Sequence, residues 1–289
     1  MATTPEPSAP TVEETAAYRR QVDEAASTFQ NESPSAPAVG ILKNTEVGEV
    51  LDAEATESTL PCADIPHYPA SDGVLKMGVL AGTRVIVMDQ HQHLYEGSTP
   101  REVAFPVRML AAFGIDTLLL PTTAGGVNPQ FERGGLMLLT NHINFQGQNP
   151  LVGPNVDAWG PRFPDMTEPY DARLQQIAEE AAREEGLSLQ KGVYLARLGP
   201  GPETTAEHRM ARRLGADAIG ASVVPEVIVA RHMDVRVMAV SLLAEQHLRE
   251  DQTPAPREDD GQAFDQARSH LRRLLTGVVA RMDADVDTA

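Results

Sequence analysis

A single cysteine, Cys62, stands in 289 residues, so no intramolecular disulfide can form. No C-x-x-C or paired Cys/His spacing offers a structural zinc site either. Such cysteine usage fits a reducing compartment, and a cytoplasmic location is expected. Positive charge is also scarce: 24 Lys and Arg stand against 41 Asp and Glu, a formal net charge of −17 with His neutral. A surface of that sign repels phosphodiester backbones and anionic headgroups, which argues against nucleic-acid and membrane partners. No apolar run approaches the ~18–20 residues that cross a bilayer, and the opening Met-Ala-Thr-Thr-Pro-Glu lacks the basic start and apolar stretch of a secretory signal. The expectation is an acidic, intracellular globular protein.

The chain is long enough for a sizeable core, because folding at ~300 residues hides roughly three quarters of the unfolded surface. Residues 1–37 read as a mobile N-terminal segment, Pro/Ser/Ala/Glu-rich at both ends, with a surface helix over 12–30 where Ala16, Val22, Ala25 and Phe29 recur at loosely helical spacing. From residue 38 to 289 one domain is expected. It begins with the apolar run Val39–Leu42 and a hairpin in which Leu75–Leu80 and Arg84–Met88 flank Ala-Gly-Thr. Then strands and helices alternate: helix Pro100–Phe113, strand Thr117–Leu120, strand Leu136–Leu139, helix Tyr170–Glu185, strand Gly192–Leu198, helix Glu203–Leu214, strand Ala218–Ala221, helix Pro225–His232 and strand Val235–Leu243. A last helix carries Leu271, Leu274, Leu275, Val278 and Met282 on one face. This alternation predicts an α/β fold, a single domain with a mixed central sheet flanked by helices.

Three stretches put polar or small residues at strand ends, where sheets of this class place ligands. Thr122-Thr123-Ala124-Gly125-Gly126 is either a tight turn or a place where backbone N–H groups approach an anion or a sugar. In Asp89–Gly97, His91 and His93 fall on one side of an extended segment; they could hold an anion or sugar, sit on the surface, or bind metal, for which no third ligand is nominated. Glu203 follows Gly-Pro-Gly-Pro, and the first turn of a helix alone would favour an acid there. Glu245 ends an apolar strand, where a carboxylate can hold a polar heterocycle or donate a proton once burial raises its pKa.

Several motifs, taken in order, carry a resemblance. Tyr95-Glu96-Gly97, Phe105-Pro106-Val107-Arg108, Ala124-Gly125-Gly126-Val127-Asn128-Pro129, His142-Ile143-Asn144, Gly147-Gln148-Asn149-Pro150-Leu151, Gly153-Pro154-Asn155 and Val224-Pro225-Glu226-Val227-Ile228-Val229-Ala230-Arg231-His232 resemble the trimeric purine nucleoside phosphorylases and their methylthioadenosine phosphorylase cousins. The resemblance implies a nucleoside phosphorylase-like fold, a homotrimer, a small-molecule nucleoside substrate and inorganic phosphate as co-substrate. No metal and no organic cofactor is expected. It also implies a chemistry in which the glycosidic bond stretches toward an oxocarbenium-like state while the purine is held at N7.

Residue by residue, the resemblance implies Glu245, His93 and Glu203 as catalytic groups, and Tyr95, Thr122, Thr123, Ala124, Pro202, Ala221, Ser222 and His247 as substrate-binding positions. A residual phosphate or anion site would comprise Thr45, His91, His93, Thr123 and Ser222. The phosphate side departs from the pattern. Asn44-Thr45-Glu46 replaces a Gly-Ser-Gly loop, and His91 stands where the family has its phosphate-gripping arginine. Pro202 and Ala221 replace an aromatic and a methionine around the base, and Glu245 replaces an asparagine or aspartate. Phosphorolysis, cleavage or transfer without tight phosphate, and a repurposed reaction or binding role on a non-nucleoside all remain open at this point.

Overall fold

The computed structural model of the chain describes residues 9–30, 38–43, 45–89, 92–246 and 260–286. Among these described residues nine strands form: β1 Val39–Leu42, β2 Thr56–Pro61, β3 Val74–Leu80, β4 Thr83–Met88, β5 Thr117–Gly126, β6 Leu136–Asn144, β7 Leu189–Ala196, β8 Ala218–Gly220 and β9 Arg236–Gln246. Six α-helices accompany them: α1 Val12–Gln30, α2 Pro100–Phe113, α3 Ala172–Glu184, α4 Thr205–Arg213, α5 Val224–His232 and α6 Asp260–Val286. The strands form one mixed sheet in the order β2-β3-β4-β1-β5-β8-β7-β6-β9, and β9 pairs with β5 as well, so that five strands close on themselves.

Strands β1, β4, β5 and β9 run parallel to one another, β1 between β4 and β5, and β9 on the other side of β5. Strands β6, β7 and β8 form a second parallel set that meets the first through antiparallel pairings, β5 with β8 and β6 with β9. The expected mixed α/β architecture is therefore present. Its boundaries differ where polar chemistry continues a strand: β5 runs on through Thr-Thr-Ala-Gly-Gly, because those residues pair with β9. Strand β2 gives little apolar signal, since its residues alternate between half-buried and exposed at the sheet edge.

Helix α2 shows how local sequence sets an element. Thr99 caps its N-terminus by accepting from Glu102 N, Glu102 reaches back to Thr99 N at 2.7 Å, and Pro100 occupies the first turn. Gly114 ends it in the left-handed conformation at φ 117°. Helix α1 is more than a surface helix: Val22, Ala25 and Phe29 are fully buried, and Phe29 meets Phe113 of α2 edge-on at 5.4 Å. On the opposite face of the sheet, α6 buries Leu271, Leu274, Leu275, Val278 and Val279, packed beside α3. Among the described residues no helix is long and apolar enough to cross a membrane.

Candidate active site

The parallel strands deliver the polar stretches to one end of the sheet. After β4 the chain turns through the short helical segment Leu94–Glu96, whose start is fixed by His93 N donating to Glu96 Oε2 at 3.0 Å. This fold-back lays the His93 ring on the Tyr95 ring, 4.6 Å between centroids and 12° from parallel. His93 Nδ1 then lies 3.4 Å from Ser222 Oγ, joining the end of β4 to the turn after β8.

That turn is under strain. Val223, a β-branched residue, sits at φ 61°, ψ −30° and is fully buried, a backbone conformation that persists only where its surroundings impose it. Gly220 is required there, because a Cβ would fall 2.0 Å from Tyr194 Oη. The same hydroxyl accepts from Ser222 N at 3.2 Å, and burial pushes its pKa well above the usual tyrosine value. Tyr194 thus sets the position of Ser222, whose side chain is itself buried.

Across the cleft, Thr123 Oγ1 donates to Glu46 Oε2 at 2.7 Å. Glu46 is exposed and lies in the short turn Thr45–Val47 that follows β1. Partial burial raises the Tyr95 pKa, and the nearby charges of Glu96 and Glu46 add to that effect. The roots of the two loops are tied by an ion pair between buried Lys43, just past β1, and half-buried Asp89, just past β4. Thr122 is fully buried, Ala124 nearly so, while Thr123 is only half-buried.

The third wall comes from the segment after β7. Arg197 Nε is in close contact with Glu203 Oε1, and His208 Nε2 lies 3.7 Å from Glu203 Oε2. The nearest charge to Glu203 is therefore a guanidinium rather than a second acid. Gly199, at φ 84°, passes so close to Tyr95 that a Cβ would lie 3.0 Å from its ring. Buried Gln146 donates through Nε2 to the carbonyls of Ala221 at 3.2 Å and Arg197 at 3.5 Å, stitching this wall to the Ser222 turn. Pro202 is exposed and Ala221 half-buried.

Thus His93, Tyr95 and Ser222 come together, Glu203 has its own partners, and Thr123 is engaged by Glu46. Glu245 falls at the end of β9 opposite Gly125, with its side chain outside the described set. His91 and His247 lie outside the described residues, as does the Thr45 side chain. Reading by motif missed Gln146, Tyr194, Arg197 and His208. Only Arg197 left a trace in the sequence, a lone cation just past an apolar strand. Among the described residues no group of three His, Cys, Asp or Glu side chains is placed to hold a metal.

Comparison with known proteins places the chain in a family. The family described as the Phosphorylase superfamily matches residues 38–280. Purine nucleoside phosphorylase 1 of Geobacillus stearothermophilus is 38% identical over 269 residues, covering 91% of this chain and 98% of that protein. The purine nucleoside phosphorylase of Bos taurus is 38% identical, over 84% of this chain and 89% of its own. Among solved structures, isoform 2 of the Schistosoma mansoni purine nucleoside phosphorylase, in complex with cytosine and ribose-1-phosphate, superposes with a TM-score of 0.85 at 33% identity, covering 91% of this chain and 96% of that one. The chain belongs to the phosphorylase superfamily, and within it to the nucleoside phosphorylase type of glycosyltransferase.

Proposed function

We propose that this protein cleaves the N-glycosidic bond of a purine nucleoside and holds inorganic phosphate weakly while doing so. The observation that carries this reading is the contact of Thr123 Oγ1 with Glu46 Oε2 at 2.7 Å. A carboxylate then occupies the hydroxyl that a phosphate oxygen would use, and its charge opposes phosphate. The sugar rests against the stacked His93 and Tyr95, with His93 and Ser222 as the remaining anion-facing pair. Glu203, steadied by Arg197 and His208, orients the base, and Glu245 serves as proton donor or amino-group acceptor toward it. As the bond breaks, its electron pair leaves with the base and the proton reaches the base from the acid, while the oxocarbenium-like sugar is captured by phosphate or by water.

The assembly proposed is a homotrimer. Phe145, Val152 and Phe163 support it: they are 52%, 55% and 87% exposed on the single chain, an apolar surface that a neighbouring copy would cover. A panel of purine nucleosides incubated with and without phosphate, with free base followed over time, tests the reaction. Release that proceeds without phosphate, or that needs millimolar phosphate, supports the reading. Release from no nucleoside under either condition would favour a repurposed pocket.

A further inference from the structure

Away from the site, α2 carries two arginines seven residues apart, Arg101 and Arg108, which helical geometry brings to one face. Arg101 donates to Thr15 Oγ1 of α1 at 2.8 Å and lies 5.4 Å from the Tyr18 ring centre. Arg108 is 5% exposed, its guanidinium stands 4.2 Å over the Trp159 ring, and its Nη1 has no hydrogen-bond partner among the described residues. The groups acting on Arg108 are the Tyr18 hydroxyl and the like charge of Arg101; no carboxylate is among them. Burial lowers its pKa only to about 10, so it remains a cation at neutral pH. His232 completes the wall, 2% exposed, with Nε2 3.1 Å from Asn155 Oδ1 and the backbone of Gly160 and Pro161 also acting on its ring.

A buried charge is normally paired, because leaving it alone in a low-dielectric setting is costly. The aromatic face of Trp159 offsets part of that cost, and a water could accept from Nη1, but neither brings a negative charge. The arginines, Tyr18, Trp159 and His232 line a partly open cavity of about 20 Å³, room for about one small occupant. We propose that this cavity binds a monovalent inorganic anion of halide size, held between the Arg108 and Arg101 guanidinium groups against Trp159. None of Glu46, Thr123, Glu203 or Ser222 lines the cavity, so the anion is separate from the nucleoside reaction. It would clamp α1, α2 and the loop carrying Trp159 together.

Trp159 is the sole tryptophan, so its fluorescence reports on this cavity directly. The experiment titrates the full-length protein with sodium iodide, ionic strength held constant with sodium gluconate. The expected result is quenching that saturates in the millimolar range, with chloride shifting the half-saturation point several-fold upward. Arg108→Met should abolish the saturating phase; if that variant fails to fold, Arg101→Gln should weaken it at least several-fold. Quenching that stays linear in iodide and insensitive to chloride would overturn the proposal. So would protection given by sulfate or phosphate but not by chloride.

Discussion

Replacing Glu46 by Gln isolates the charge that sets phosphate affinity. The amide keeps an oxygen able to accept from the Thr123 hydroxyl, so the 2.7 Å contact can persist while the charge is lost. A phosphate oxygen taking the Thr123 hydroxyl would bring its negative charge to about 4 Å from the Glu46 carboxylate. At that distance two unit charges interact by about 4 kcal/mol at an effective dielectric of 20, and by about 1 kcal/mol in bulk water. Glu46 is exposed, so the lower part of that range applies, about 1–2 kcal/mol. The variant should therefore bind phosphate roughly 5–30-fold more tightly. Calorimetric titration of both proteins with phosphate reads this directly, and the gain should shrink as salt rises from low ionic strength to about 0.15 M, as screening requires. Equal affinities in the two proteins at low salt would refute the electrostatic reasoning.

Other outcomes follow from the same geometry. Glu203→Gln removes the charge that Arg197 and His208 face, and should raise KM for the nucleoside about ten-fold or more while leaving the fold intact by circular dichroism. Glu245→Gln should lower kcat by about 10²–10⁴-fold if that acid protonates the leaving base, measured as free base released at saturating nucleoside. Burial holds His142 down at about 4 against an ordinary 6.5. Above pH 6.5 the ring is neutral in both states; as pH falls toward 4 the unfolded chain takes up a proton that the folded ring refuses, and stability is lost, by up to about 3 kcal/mol. Urea unfolding of wild type and His142→Gln across that window should show the loss reduced in the variant. Sedimentation velocity at micromolar concentration should give a trimer, with Phe163→Glu shifting it toward monomer.

The strands and helices of the central sheet were readable because apolar runs and helical periodicities are set by burial, as Thr117–Leu120 and the α6 face of Leu271, Leu274 and Leu275 illustrate. Strand β2 was not, since an edge strand with one wet face has no such requirement. The stack of His93 on Tyr95 lay within a stretch the sequence singled out. The links that hold the site did not show in the sequence: Thr123 to Glu46 spans 77 positions, Ser222 to His93 spans 129, and Gln146 reaches Ala221 across 75. Such contacts depend on how β1, β4, β5 and β8 are brought side by side, which no local spacing encodes. Tyr194 was hidden for another reason: it reads as an ordinary buried aromatic, and its role comes from a hydroxyl aimed at the Ser222 backbone.

Glycosidic cleavage with weakly held phosphate is read from the rate of free-base release from a purine nucleoside as phosphate is varied from zero to tens of millimolar at neutral pH. The expected release is independent of phosphate or half-saturates only at millimolar concentration, with Glu46→Gln moving the half-saturation point lower. Release that is absent without phosphate and half-saturates at micromolar concentration in the wild-type protein would contradict it.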